Sequence, residues 1–163
     1  MMRIFGNRGV SLNYEGLLEE AFKLDLIVKE AKFSGYKGRI KGNRIAIKKD
    51  IPTLKEKSCI LAEELGHFYT SYGDIIDQSV ANNRKQEYKA RLWSYDKQVG
   101  LIGIIEAYEA GCINLYEMAE YLNVTEDFLN ATLKCYKNKY GEYTKIDNYI
   151  IYFEPYLGVL KLI

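Results

Sequence analysis

The chain has 163 residues, 48% of them hydrophobic, and a formal net charge of +1. This size predicts one domain, or one domain with a small appendage, with enough apolar residues for a core. A nearly neutral chain lacks the basic surface typical of nucleic-acid-binding proteins, and the lysines of residues 29–49 are interrupted by apolar residues, as on a solvated face. No apolar run approaches the roughly 18 residues of a membrane helix. Polar residues follow the short segment Met1–Asn7, so we expect no signal peptide.

The three cysteines, Cys59, Cys112 and Cys135, are widely spaced and fit no zinc-finger or C-x-x-C pattern. An odd number at such spacing is typical of reduced thiols and not of a disulfide framework. We therefore expect a cytoplasmic protein, in which Cys59 and Cys135 are packed within helices.

The first part of the chain predicts a helix followed by a β-hairpin. Residues 14–31 carry apolar side chains at helical spacing. Residues 35–49 then alternate between apolar and polar side chains, and Gly42-Asn43 lies between two such runs. A glycine-containing pair in this position is typical of a two-residue hairpin turn.

Two longer helices are predicted next. Pro52 is followed by a capping box from Thr53 to Glu56, which begins a helix that we expect to reach about Tyr72 and to end at Gly73. A loop is predicted to begin at Gly73-Asp74, and a second helix to cover roughly residues 84–99.

The remainder of the chain predicts three short helices and a terminal hairpin. The helices lie between Leu101 and Tyr140, with breaks at Gly111 and at residues 123–125. Residues 143–162 alternate around Asp147-Asn148, a pair that favours a hairpin turn. This succession of helices and hairpins predicts an α+β fold.

The segment Ala62–His67, A-E-E-L-G-H, differs by one letter from the H-E-x-x-H helix of zinc proteases. That motif places two metal-ligating histidines one helical turn apart, with a glutamate general base beside the first. Here Glu63 takes the position of the first histidine, Glu64 is the candidate base, and His67, the only histidine, is the second candidate ligand. The alternative is that the glutamates form a solvated face and that His67 is structural.

A hydrolytic zinc site needs three protein ligands and an open position for water. Glu87, twenty positions after His67 in the next predicted helix, is the natural third ligand. Asp74 and Asp77 compete for this role, and Asp74 is also a candidate for orienting His67 through a hydrogen bond. Tyr69 is a candidate for polarising the scissile carbonyl. An imidazole and two carboxylates suit Zn²⁺ and also permit Mn²⁺.

These segments resemble the ImmA/IrrE metallopeptidase family. The likeness is carried by residues 57–70, by Gly73-Asp74-Ile75, and by Glu87 with the following Ala90-Arg91-Leu92-Trp93. It extends from about Tyr14 to Tyr156 and is closest to short members from phages and integrative elements of Gram-positive bacteria. Many of those members also carry E-E-L-G-H in place of H-E-x-x-H.

The resemblance implies a zincin-like metallo-endopeptidase with Glu63, His67 and Glu87 as metal ligands and Glu64 as base. It implies a core with a small antiparallel sheet packed on the motif helices, at residues 1–100. A helical, helix-turn-helix-like subdomain at 101–141 and a terminal β-hairpin at 142–163 would follow. The implied substrate is a partner helix-turn-helix repressor, whose cleavage derepresses the mobile element.

Residues 115–136 could themselves form a DNA-reading helix-turn-helix. The second helix would begin Thr125-Glu126-Asp127, however, and these acidic residues would face phosphates in a major groove. Direct DNA binding is therefore the weaker alternative to a structural or protein-docking role. A further alternative to the peptidase is a catalytically inert module that binds the repressor without cleaving it.

Overall fold

The computed structural model describes residues 12–71 and 80–163. These residues form six helices and six strands, which confirms the predicted α+β class. The helices are α1 (Tyr14–Lys23), α2 (Leu54–Ser71), α3 (Val80–Gln98), α4 (Gly100–Glu109), α5 (Leu115–Leu122) and α6 (Glu126–Tyr140). The strands are β1 (Ile27–Ala31), β2 (Gly38–Lys41), β3 (Arg44–Lys48), β4 (Tyr143–Ile146), β5 (Tyr149–Tyr152) and β6 (Gly158–Lys161). None of the described helices has the length and apolar character that crossing a membrane requires.

The first sheet confirms the predicted hairpin and adds a strand to it. Its order is β1-β3-β2, and β2 and β3 pair in antiparallel fashion with Lys41 opposite Arg44. Gly42 adopts φ 59° in the turn, a conformation that glycine reaches without a steric cost. β2 is therefore an edge strand, and its outer side pairs with no strand in the described part of the chain.

The predicted helix over residues 14–31 is wrong beyond Lys23. Asp25 adopts φ 57°, and the Leu26 N–H donates to the Ala21 carbonyl oxygen at 2.9 Å, which ends the helix and turns the chain. The following residues form β1, which pairs with β3 in parallel. The expectation of a purely antiparallel sheet is therefore also wrong. Residues 24–28 are mostly apolar, so their pattern fits the period of a helix as well as that of a strand. The strand forms because it pairs with β3.

Half of the predicted capping box at the start of α2 is confirmed, because the Glu56 N–H donates to Thr53 Oγ1 at 3.1 Å. The Glu56 side chain instead accepts a hydrogen bond from Lys37 Nζ at 2.7 Å. Described α2 reaches Ser71, and the predicted end at Tyr72 and Gly73 lies outside the described residues. Described α3 already includes Val80, four residues before the predicted start at residue 84.

The C-terminal helices confirm the prediction of three short helices. Asn123, at φ 53°, ends α5, and Thr125 Oγ1 caps α6 by accepting the Phe128 N–H at 3.1 Å. The predicted hairpin around Asp147 forms from β4 and β5. The terminal element is nevertheless a three-stranded antiparallel sheet, since β6 pairs with β5. The chain passes Pro155 after β5 and resumes a strand at Gly158.

Two apolar clusters meet at α2. One packs α1 and the first sheet against α2 through residues such as Leu17, Ile47 and Leu61. The other joins α3 to α6 and β5 and includes Cys59 of α2. Cys59 and Cys135 are buried in helices as predicted, and all three cysteines are free. The helix that carries the motif is thus fixed from both sides, which restricts the positions of its polar side chains.

Candidate active site

The two motif helices run antiparallel and touch closely at Gly66. A Cβ placed on Gly66 would lie 2.2 Å from the carbonyl oxygen of Ala90, so only glycine permits this approach. The same crossing sets His67 of α2 opposite Glu87 of α3, and His67 Nε2 lies 3.4 Å from Glu87 Oε1. The structure therefore brings together these two predicted ligands, from the separate helices that the sequence predicted.

Arg91 provides a positive charge at this junction. Its Nε lies 3.6 Å from Glu87 Oε2, one helical turn along α3. Burial raises the pKa of the Glu63 carboxyl group; Arg91 opposes this shift and the Glu87 carboxylate adds to it. Sequence reasoning assigned Arg91 no role, although an acidic residue four positions before an arginine is a recognisable helix pair.

Glu64 is buried, with 8% of its surface exposed, at the sheet side of α2. Burial raises the pKa of its carboxyl group to about 7, the Glu63 carboxylate adds to this, and a hydrogen bond from the Ile40 backbone N–H opposes it. A carboxyl group with a pKa near neutrality is suited to accept a proton from water and return it. The predicted base thus lies in an environment that favours this role.

β2 approaches Glu64 closely because Gly38 has no side chain. A Cβ on Gly38 would lie 2.5 Å from Ile60 Cγ2 and 3.0 Å from Glu64 Oε1. No local pattern in the sequence distinguishes this glycine, since its role depends on the distance between β2 and α2.

A cleft of about 530 Å³ lies between β2, α2 and α6. Residues from all three walls line it. They are Gly35, Tyr36, Lys37 and Gly38 on the sheet side; Glu56, Cys59, Ile60, Glu63 and Glu64 on α2; and Thr125, Asp127, Phe128 and Ala131 on α6. The lining includes Glu63 and the candidate base Glu64 but neither His67 nor Glu87, which lie further along the helices. An extended chain in this cleft would run beside an edge strand, where main-chain hydrogen bonds can add it to the sheet.

The other predicted site residues take different positions. The Tyr69 hydroxyl group donates to Glu20 Oε1 at 3.1 Å, and its ring stacks on Trp93 at 4.7 Å. Burial and the Glu20 carboxylate raise the pKa of Tyr69 to about 12. The Tyr69 hydroxyl group is therefore hydrogen-bonded to a residue of α1. Asp74 and Asp77 lie outside the described residues.

The helix-turn-helix-like segment contributes the far wall of the cleft. Phe128 is buried, and its ring packs edge-on against Tyr95 with 5.1 Å between centroids. Thr125 and Asp127, in the first turn of the would-be recognition helix, line the cleft. This arrangement favours an internal role for α6. DNA binding through residues 115–136 stays a prediction, and the salt dependence of duplex binding would test it.

The donor chemistry of Glu63, His67 and Glu87 fits a divalent metal ion. One imidazole and two carboxylates are ligands that Zn²⁺ accepts. The Glu87 carboxylate raises the pKa of both Glu63 and Glu64, so these acidic groups repel one another, and a cation would relieve that repulsion. In the part of the chain that the structure describes, however, no three His, Cys, Asp or Glu side chains converge as a ligand cluster.

Comparison of the chain with family models, curated proteins and solved structures returns no match. Its function is therefore inferred from the residues of the cleft and from the ImmA/IrrE resemblance of its motif.

Proposed function

We propose that the protein is a cytoplasmic, zincin-like metallo-endopeptidase that cleaves a helix-turn-helix repressor and so derepresses a phage or mobile element. The observation that carries this proposal is the buried Glu64 carboxyl group, with a pKa of about 7, in a cleft beside an edge strand. His67, about one turn after Glu64 on α2, lies 3.4 Å from Glu87 of α3, and this pair supports the metal-dependent form of the chemistry. The repressor substrate comes from the family resemblance.

Each residue has a defined role in this proposal. Glu63, His67 and Glu87 would hold Zn²⁺ or Mn²⁺, which when bound supplies electrophilic activation of the peptide carbonyl and of water. Glu64 accepts the proton of the attacking water and passes it to the leaving amine. The Ile40 N–H holds the Glu64 carboxylate in place. The substrate strand lies along β2 and gains main-chain hydrogen bonds there.

Metal content tests the ligand set. Protein purified without chelators or a metal-affinity tag should contain about one Zn²⁺ or Mn²⁺ per chain by elemental mass spectrometry. Glu63→Ala, His67→Ala and Glu87→Ala should each lose most of it, whereas Glu126→Ala, which removes an exposed carboxyl group on α6, should retain it. Full metal content in the His67→Ala protein would exclude this ligand set.

A cleavage assay tests the role of Glu64. The metal-loaded protein is incubated with a candidate helix-turn-helix repressor, and fragments are identified by mass spectrometry. Glu64→Gln should retain metal and yield no fragments, because the amide cannot accept the proton of water. Cleavage by Glu64→Gln at the wild-type rate would remove Glu64 from the mechanism.

A second candidate function is a module that binds the repressor without cleaving it. It is favoured by the carboxylate at position 63, where the H-E-x-x-H motif has a histidine. Two carboxylates neutralise a divalent ion and make its water less acidic than a site with neutral ligands would. Chelation separates the two functions: an inert module keeps its affinity for the repressor and yields no fragments under either condition.

A further inference from the structure

The cleft is acidic although the chain as a whole is nearly neutral. Four carboxyl groups line it, from Glu56, Glu63, Glu64 and Asp127, against one ammonium group, from Lys37. The net charge of the whole chain is +1, so this concentration of negative charge is local. Carboxyl groups outnumber the single ammonium group, and the low-dielectric walls of a cleft strengthen the attraction of such a site for cations.

Lys37 is already engaged on the sheet side of the cleft. Its Nζ lies 2.7 Å from Glu56 Oε1, and this contact raises the pKa of the ammonium group, with smaller contributions from the more distant Asp127 and Glu63. Asp127 lies across the cleft in the first turn of α6 and is exposed. Among the described residues it forms no ion pair within 4 Å. It therefore presents a carboxylate to any molecule that enters.

The walls of the cleft also restrict the shape of an occupant. The sheet-side wall consists of residues 35–37 and of Gly38, the first residue of edge strand β2. A cleft that reaches the free edge of a sheet favours an extended chain over a compact ligand. Alternate side chains of an extended chain point in opposite directions, so one set faces α6 while the other faces away. On α6 the cleft-lining residues are Thr125, the buried ring of Phe128, Ala131 and the Asp127 carboxylate.

We propose that the cleft selects an extended peptide segment with a lysine or arginine directed at Asp127, which makes Asp127 a specificity-determining residue. The inference rests on the proposed function of the cleft as a peptide site. A DNA-binding repressor offers such segments, because it uses lysine and arginine to neutralise phosphates. Glu126, the neighbouring exposed residue of α6, does not line the cleft and serves as a matched control.

Binding to the Glu64→Gln protein tests the proposal without turnover. The probes are fluorescein-labelled peptides of about ten residues, identical except for lysine, glutamine or glutamate at alternate positions, measured by fluorescence anisotropy at neutral pH. The lysine peptide should bind at least about fivefold more tightly than the glutamine peptide, with the glutamate peptide weakest. Adding Asp127→Lys should abolish this preference, and Asp127→Asn should reduce it. Adding Glu126→Lys instead changes the net charge by the same amount as Asp127→Lys, and it should leave the preference for the lysine peptide within about twofold of its original value.

Equal losses in the Asp127→Lys and Glu126→Lys proteins would overturn the proposal, since long-range charge alone would then explain the preference. Equal affinity for all three peptides, or binding of none, would also overturn it. The proposed peptidase function is judged separately, by fragments from the wild-type protein. Lysine-selective binding without any fragments would support the inference and exclude the peptidase function. Fragments from the wild-type protein, together with an unchanged lysine preference in Asp127→Asn, would support the peptidase function and overturn the role of Asp127.

Discussion

Replacing Glu64 by glutamine should stabilise the metal-free protein at neutral pH. Burial raises the pKa of this carboxyl group from its ordinary 4.5 to about 7, and the side chain is only 8% exposed. A difference of this size between unfolded and folded states corresponds to about 3 kcal/mol of unfolding free energy. Glutamine resembles the protonated carboxyl group in shape and carries no charge, so it avoids the cost of burying the anion.

The sign follows from proton binding. Between about pH 4.5 and 7 the folded state holds a proton on Glu64 that the unfolded state has lost, so rising pH favours unfolding. The contribution is fully present below pH 4.5 and is lost as pH rises through about 7. Wild type and Glu64→Gln should therefore match in stability near pH 4 and differ by about 3 kcal/mol at pH 8.

Urea denaturation of the chelated proteins at intervals from pH 4 to pH 8 gives both curves. Glu126→Gln, at an exposed position of α6, controls for the loss of one surface carboxyl group. Parallel curves for wild type and Glu64→Gln would refute the reasoning, because they would show that folding does not change the proton affinity of Glu64.

Two further predictions concern the elements that position the site. Gly66→Ala places a methyl group 2.2 Å from the Ala90 carbonyl oxygen, so it should cost about 2 kcal/mol in urea denaturation. Gly158→Ala, where a Cβ meets nothing within 4 Å, should change stability by less than about 0.5 kcal/mol, and equal effects would contradict this account. Thr125→Ala removes the hydroxyl group that accepts the Phe128 N–H and should lower the free energy of unfolding by about 1 kcal/mol. Thr125→Ser keeps a hydroxyl group at this position and should retain most of that stability. Equal stability of all three proteins would show that the cap does not stabilise α6.

Local chemistry made several parts of the fold predictable from sequence. Thr53 and Glu56 mark the start of α2 because a capping side chain satisfies a free N–H within one turn. Gly42 and Asp147 mark hairpin turns because they adopt positive φ there. Glu87 could be placed opposite His67 because a turn and an antiparallel helix return the chain by about the right distance.

Other features depend on neighbours that are distant in sequence. β1 is a strand because it pairs with β3, although its apolar residues also fit a helix. Gly38 matters because β2 passes over Glu64, and Asp127 because α6 closes the cleft about sixty residues after the motif. A single sequence carries no signal for these approaches, which arise from packing.

The free-energy cost of burying the Glu64 carboxyl group is relevant to the function of the site. A carboxyl group as buried as Glu64 destabilises the metal-free fold at neutral pH, and a glutamine of the same shape would avoid that cost. Gly38 and Gly66 add to it, because a glycine loses more conformational freedom on folding than an alanine. Their lack of a side chain, however, lets β2 and α3 approach α2 on either side of the motif. A helix that served only as scaffold would gain stability at neutral pH from a neutral side chain at position 64. Under the proposed function this cost has a use, since sites that act on substrates commonly retain groups that weaken the fold.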